Sequence, residues 1–296
     1  MKHLLDIESL SVDEINQIYN RAQEFEKGIR KSNHQNAHVV NMFFENSTRT
    51  RLSFEMAENK LNARKYDFLP EISSLSKGED LYDTINNLSA IGVAAVVLRH
   101  KDNNLIKELA SKHYFQEISF INAGSGTSSH PTQALLDFYT MKRHFLDLGD
   151  KTITIVGDIA HSRVAKSNIA LLKKFGTKIR CLTCGLFEGE KIEGVTYYSN
   201  LEEAFEGADI IMALRIQKER IEEKYNLQDY ISKFQITKEN LPYAALLMHP
   251  GPINRDIEIR SDVLETQNAR TILKQAQNGV YIRMAILDMI FASWGV

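Results

Sequence analysis

Ser47, Thr48, Arg49 and Thr50 place three hydroxyls and a guanidinium on consecutive residues, at the point where an apolar stretch gives way to a helical pattern. Val39, Val40, Met42, Phe43 and Phe44 read as a buried strand, and Leu52, Glu55, Met56 and Leu61 recur at helical spacing. The four polar residues therefore fall at a helix N-terminus. Backbone N–H groups of a first helical turn have no intrahelical acceptor, and the helix macrodipole favours negative charge beside them. Together with the threonine hydroxyls and an arginine able to bond bidentately, they form a cradle suited to a dianionic phosphate. The same residue types also cap ordinary surface helices, so the local pattern by itself leaves both readings open.

Three further places carry groups able to do chemistry. In His130-Pro131-Thr132-Gln133 the proline suits a first helical turn, and the preceding glycine-containing loop, 122–126, lets backbone approach a ligand closely. Taken alone, this is also how an ordinary helix begins. Arg215 directly follows the apolar run 210–214, which puts it at the carboxyl end of a strand, where open α/β sheets bind ligands. Lys77 lies in the polar, Gly-containing loop 73–79, of a kind that is usually solvated.

The elements that must position these groups follow from periodicity. Ser11 to Glu14 form a capping box, and Ile15, Ile18, Tyr19, Ala22 and Phe25 keep one helical face apolar behind it. Strands are then expected near 39–44, 94–98 and 118–121, with helices near 48–61, 81–91 and 131–145. That alternation implies a parallel α/β sheet. The pattern restarts after Leu148-Gly149-Asp150, with strands at 152–156, 178–183, 210–213 and 245–248. From about 269 to 294, Ile272, Ala276, Val280, Met284, Leu287 and Phe291 keep helical steps despite Gly279, as one long helix or two abutting ones. The expected fold class is α/β, with two domains each built on a parallel β-sheet flanked by helices.

Bulk properties exclude several classes. With 296 residues, 43% hydrophobic and 25% charged, the chain is long enough for two proper cores and shows no disorder signature. A formal net charge of -2 offers no overall pull toward nucleic acid. No apolar run approaches the ~20 residues of a membrane span, and the N-terminus turns acidic too early for a secretory leader, so a cytoplasmic protein is expected. Cys181 and Cys184 have CxxC spacing, but one pair supplies half of a tetrahedral zinc site and no second pair follows. No metal and no cofactor is expected.

Ser-Thr-Arg-Thr-Arg after Phe-Phe-Glu resembles the carbamoyl-phosphate signature of the aspartate and ornithine carbamoyltransferases. Six further motifs of that family follow in its order: Ser76 to Glu79, Leu98 to His100, His130 to Gln133, Gly157 to Arg163, Arg215 to Arg220 and His249 to Arg255. The resemblance covers nearly the whole chain. It implies a carbamoyl-phosphate domain over 1–145, completed by a C-terminal helix, 280–296, that crosses back to it. It also implies an amino-acid-binding domain over 146–279, with the active site in the interdomain cleft.

By the same resemblance Ser47, Thr48, Arg49 and Thr50 hold the phosphate and Arg99 adds a second cation, while His130 and Gln133 address the carbamoyl group. Gly251 and Pro252 would line the cleft near the carbamoyl amino group. Lys77 and a loop serine, Ser74 in preference to Ser73, are expected to enter a neighbouring subunit's site in a homotrimer with shared active sites. Regulatory or other pathway chains are possible partners.

The second substrate is expected to be a small amine with anionic groups, because Arg163 and Arg215 come from separate loops after apolar strands and suit two carboxylates. Gln217 adds an amide. L-aspartate is favoured over ornithine: His249-Pro250-Gly251-Pro252 stands where the ornithine enzymes have His-Cys-Leu-Pro, and arginine rather than acid dominates the second-domain motifs. Lys218, Glu219 and Arg220 read instead as an exposed charged helix. A nicotinamide dehydrogenase fails on the absence of G-x-G-x-x-G after Val156. A non-catalytic relative stays an alternative, since Ser125 occupies a place where several relatives have Asp. The expected products are N-carbamoyl-L-aspartate and phosphate, a step of pyrimidine synthesis.

Overall fold

A computed structural model describes residues 1–217 and 226–295. The chain forms two compact units, Met1–Leu136 with Ala276–Val296, and Asp137–Gln275.

Unit 1 begins with α1 (Val12–Glu26), where Ser11 and Glu14 cap each other reciprocally and Ile15, Ile18, Ala22 and Phe25 are buried as expected. Its sheet comprises β1 (His38–Phe43), β2 (Arg64–Phe68), β3 (Ala95–His100) and β4 (Ser119–Ser125), all parallel, in the order β2-β1-β3-β4. The connecting helices are α2 (Thr48–Lys60), α3 (Leu81–Ala90) and α4 (Leu105–Ser111). Val40, Met42, Val96, Leu98, Ile106, Phe115 and Phe120 close the core between sheet and helices.

Three features of this unit depart from or go beyond the sequence reading. Strand β2 lacks a buried run because it is an edge strand whose Arg64 and Asp67 are exposed, a usual way of blunting an edge. On α2, Leu52 and Met56 are about half exposed; the face turned inward carries Thr50, Phe54, Ala57 and Glu58. The 122–126 segment also differs from a loop, since Asn122 to Ser125 continue β4, and Gly124 at φ 127° lets that strand turn before Ser129.

Helix α5 (Pro131–Lys142) contains the boundary between the units, and α9 (Arg270–Trp294) contains the other; α9 is one uninterrupted helix through Gly279. Unit 2 holds a five-stranded parallel sheet of β5 (Thr152–Val156), β6 (Lys178–Leu182), β7 (Val195–Tyr198), β8 (Ile210–Ala213) and β9 (Leu246–Met248), ordered β7-β6-β5-β8-β9. Helices α6 (Arg163–Lys174), α7 (Leu201–Phe205) and α8 (Leu227–Phe234) connect or flank these strands. Val156, Leu182, Ile211, Ala213, Tyr230, Phe234 and Leu247 form its core. Cys181 is buried on β6 and Cys184 half-buried beyond it, both as free thiols, and burial pushes the Cys181 thiol up to about 12. Among the described residues no cluster of side chains is suited to a metal ion.

Candidate active site

Strand order decides where a ligand can sit in each unit. In unit 1 the connection out of β1 leads to β2 on one side and the next strand, β3, lies on the other; such a reversal opens a crevice at the carboxyl ends of the strands. The 47–50 segment leaves β1 at this crevice. Arg99 ends β3 beside it: Phe43 pairs in register with Arg99, and the Phe44 N–H donates to the Arg99 carbonyl at 2.9 Å.

Ser47 is the N-cap residue of α2, yet its side chain makes no capping hydrogen bond. Thr48 and Arg49 are exposed and Thr50 is buried at the first turn. Arg49 makes no hydrogen bond or ion pair among the described residues. The largely buried Arg99 is held instead, with Nε 3.5 Å from Glu45 Oε2 and Nη1 donating to the Ala123 carbonyl at 3.3 Å. Of the two guanidinium groups, that of Arg99 is held by the protein and that of Arg49 is exposed.

The third contribution to this crevice comes from β4. Ser125 N–H donates to the Ser129 carbonyl at 2.9 Å, Gly126 N–H to the His100 carbonyl at 2.9 Å, and the Ser125 hydroxyl to Asn122 Oδ1 at 3.2 Å. These bonds bring His130 to the entry of α5, where its carbonyl accepts from the Gln133 N–H at 3.1 Å. His130 and Gln133 are both buried. The structure therefore gathers Ser47, Thr48, Arg49, Thr50, Arg99, His130 and Gln133 at the carboxyl ends of β1, β3 and β4.

Ser74 and Lys77 belong to a 3-10 turn, Ser74–Lys77, after edge strand β2. Ser73 donates to the Pro70 carbonyl at 2.8 Å, whereas the Ser74 hydroxyl holds the Glu79 carboxyl below the usual range, with help from Thr84 at 2.9 Å and Asn87 at 3.1 Å. Lys77 is exposed and makes no ion pair among the described residues.

Unit 2 repeats the principle with other chemistry. Its strand order reverses between β5 and β8, and the segments leaving those neighbours carry Arg163, Arg215 and Gln217. Arg163 opens α6 behind the cap Ser162, whose hydroxyl accepts from the Ala165 N–H at 3.1 Å. Arg215 Nη2 donates to Gln217 Oε1 at 3.1 Å. Two buried carboxylates that spacing did not single out hold these segments. Asp158 accepts from the His161 ring at 2.7 Å, the His161 N–H at 3.2 Å and the Gln217 N–H at 3.2 Å.

Glu258 accepts from the Ile216 N–H at 3.1 Å and from Asn254 at 2.7 Å through both its N–H and its side-chain amide; burial pushes its carboxyl up against these bonds. Gly251, at φ 72°, and Pro252 follow β9, with the Gly251 N–H donating to His249 Nδ1 at 2.8 Å. Lys218, Glu219 and Arg220, expected to form an exposed helix, lie outside the described residues.

Arginine with hydroxyls in unit 1, and arginine with an amide in unit 2, each at a sheet's strand reversal, suit anionic ligands. Comparison with known proteins is consistent with this division. Residues 2–143 match the family model "Aspartate/ornithine carbamoyltransferase, carbamoyl-P binding domain", and residues 149–290 match "Aspartate/ornithine carbamoyltransferase, Asp/Orn binding domain". A relative from Oceanobacillus iheyensis, called aspartate carbamoyltransferase catalytic subunit, is 43% identical over 299 residues, covering 100% of this chain and 95% of the relative.

Among solved structures, aspartate transcarbamoylase from Trypanosoma cruzi in complex with carbamoyl aspartate and phosphate superposes with a TM-score of 0.87. It is 28% identical, over 97% of this chain and 95% of that one. The catalytic subunit of M. jannaschii aspartate transcarbamoylase gives 0.87 at 29% identity, over 99% of each chain.

Proposed function

The chain belongs to the aspartate/ornithine carbamoyltransferase family, and from that premise we propose that it transfers the carbamoyl group of carbamoyl phosphate to the amino group of L-aspartate. The products are N-carbamoyl-L-aspartate and phosphate. The observation that carries the reading is the pair of anion sites at the two strand reversals, one with Arg49 and Arg99, the other with Arg163 and Arg215.

In the reaction the aspartate amine attacks the carbamoyl carbon, and the bond from that carbon to the bridging phosphate oxygen breaks. The oxygen leaves with the electron pair. The proton lost by the amine passes to the departing phosphate, so no protein carboxylate is needed as base. Ser47, Thr48, Arg49 and Thr50 hold the phosphate at the α2 N-terminus, where the macrodipole and free N–H groups favour the charge that grows on it. Arg99, held by Glu45, adds a fixed cation beside it.

His130, with Arg49 and Thr50, stabilises the oxygen of the tetrahedral intermediate; a donor in that role is worth about 10²–10³ in turnover. Gln133 orients the carbamoyl amide. Arg163, Arg215 and Gln217 bind the two carboxylates of aspartate and so aim its amine, and such positioning supplies roughly 7 to 11 kcal/mol of a barrier.

Unit 1 is assigned to carbamoyl phosphate and unit 2 to aspartate, a division supported by the descriptions of the two matching family models. We assign Lys77, with Ser74 as support, to the site of a neighbouring copy in a homotrimer. An exposed lysine without an ion pair among the described residues supports that role, as do the exposed Leu52, Met56 and Ile72 on the same unit. The reaction is placed in the cytoplasm and in pyrimidine synthesis; no helix among the described residues is long and apolar enough to cross a membrane.

Colourimetric assay of purified protein tests the reading. Carbamoyl aspartate should form from carbamoyl phosphate with L-aspartate, and no citrulline should form with L-ornithine. The reverse preference would overturn the substrate assignment.

A further inference from the structure

Arg283, on α9 inside unit 1, is almost fully buried and reaches the two helices that carry the cradle and the turn after His130. Its Nη1 donates to the Ser53 hydroxyl of α2 at 2.9 Å and to the Gly279 carbonyl on its own helix at 3.1 Å. Nη2 donates to the Thr132 hydroxyl of α5 at 3.3 Å, and the guanidinium lies over the Phe54 ring of α2, 4.9 Å from its centroid. Ser53 and Phe54 sit three and four residues beyond Thr50, the spacing that places them one turn below it on the same side of the helix. Thr132 lies between His130 and Gln133.

Gly279 makes room for this arrangement. Its backbone is helical, so left-handed freedom is not the reason for glycine here, and glycine is a poor helix former. A Cβ at this position would stand 2.6 Å from Arg283 Nη1, 3.1 Å from Leu136 Cδ2 and 3.4 Å from Ser53 Oγ. The space a methyl group would take is the space through which the guanidinium reaches Ser53.

The geometry points to Arg283 as a positioning residue that locks the phosphate-holding helix α2 to the oxyanion-facing turn of α5, with Gly279 providing its seat. The inference rests on the reading of the site given above. The cradle itself lies wholly on the first turn of α2, so a loosened lock leaves phosphate capture nearly intact. What changes is the distance between the captured phosphate and His130, which matters most in the transition state. The loss therefore falls on kcat and not on phosphate affinity.

Gly279→Ala is the gentlest test, because it keeps the arginine, displaces it, and puts a better helix former into α9. The expected result is a fall in kcat of at least tenfold, with the dissociation constant of inorganic phosphate changed less than threefold and no matching loss of thermal stability. Arg283→Ala should show the same split, with part of kcat restored by added guanidinium but not by ammonium.

A readout independent of turnover accompanies these. Inorganic phosphate should slow hydrogen exchange at the amides of residues 133–135 in the wild type and fail to do so in Gly279→Ala and Arg283→Ala. Folded variants with wild-type kcat and wild-type exchange protection would overturn the lock. Absence of carbamoyl aspartate formation by the wild type would instead strike the substrate reading, with the lock still judged by the exchange result.

Discussion

The buried Asp158 carboxylate and the Gln217 backbone N–H are 3.2 Å apart, so one acid spans the segments leaving β5 and β8. Its other oxygen holds His161, two residues before Arg163. The segments that carry Arg163 and Arg215 are thereby referenced to a single anchor. Asp158→Ala should raise the KM for aspartate about 10- to 100-fold, as expected when hydrogen bonds to a charged group are lost. Titration with carbamoyl phosphate alone should give an unchanged dissociation constant. An unchanged aspartate KM in a folded variant would show that the anchor is dispensable.

Removal of the exposed guanidinium of unit 1 should act differently from removal of one in unit 2. Arg49→Ala should lower kcat by about 10²–10³ or more. Arg215→Ala should mainly raise the aspartate requirement. Steady-state kinetics with each substrate varied separates the two effects, and normal turnover by Arg49→Ala would rule out the cradle assignment.

Sites shared between copies have a distinctive signature. Inactive Lys77→Ala and inactive Arg49→Ala chains, mixed under conditions that exchange subunits, should regain part of the activity because some sites then receive both native residues. Demonstrated exchange without recovery would remove Lys77 from the neighbouring site.

Glu58 and Asp288 should give opposite pH dependences of stability. Burial pushes the Glu58 carboxyl up to about 7, against the Asn41 amide that donates to it at 3.0 Å and the nearby Lys65; Glu55 and Asp67 push the same way as burial. The folded state then holds a proton that the unfolded chain has released. Stability is greatest below the unfolded value near 4.5 and falls as pH rises toward 7, by up to about 3 kcal/mol. Glu58→Gln keeps a partner for Asn41 and removes this term, so urea unfolding should show the variant gaining on wild type between pH 5 and pH 8. A constant difference across that range would refute the assignment.

Asp288 behaves in reverse. Burial alone would raise its carboxyl, but hydrogen bonds from His34 and Ser32 and the charges of Arg30 and Arg21 outweigh it and hold the group at about 2. The contribution is present above the unfolded value near 3.8 and is lost as pH falls through the window down to about 2, to an extent of about 2 kcal/mol. Asp288→Asn should therefore destabilise unit 1 at pH 7, and the gap to wild type should narrow in acid unfolding.

Legibility in the sequence followed the range of the interactions. The cradle could be read because strand, hydroxyls, arginine and helix are contiguous from 39 to 61, and Arg215 because its strand immediately precedes it. Edge strands β2 and β7 escaped, since a half-solvated edge carries no apolar run: Arg64 and Asp67 are exposed on one, Thr196 on the other. Helix α4, seven residues long, offers less than two full turns of pattern.

The inward face of α2 was not evident, because Leu52 and Met56 are apolar whereas the buried face includes the polar Thr50 and Glu58, the latter bonded to Asn41. Asp158, though inside the Gly157 to Arg163 motif, was not singled out, and neither were Glu258 and Arg283. Their partners lie between 3 and 230 residues away, and no local spacing announces a buried charge satisfied by distant groups.

Unit 1 is completed by a stretch that follows the whole of unit 2 in the chain. A nascent polypeptide emerging from the ribosome thus exposes its anion-grasping turn long before Arg283 has been synthesised. Until then the turn lacks the guanidinium that bonds to Ser53 and Thr132 in the finished unit.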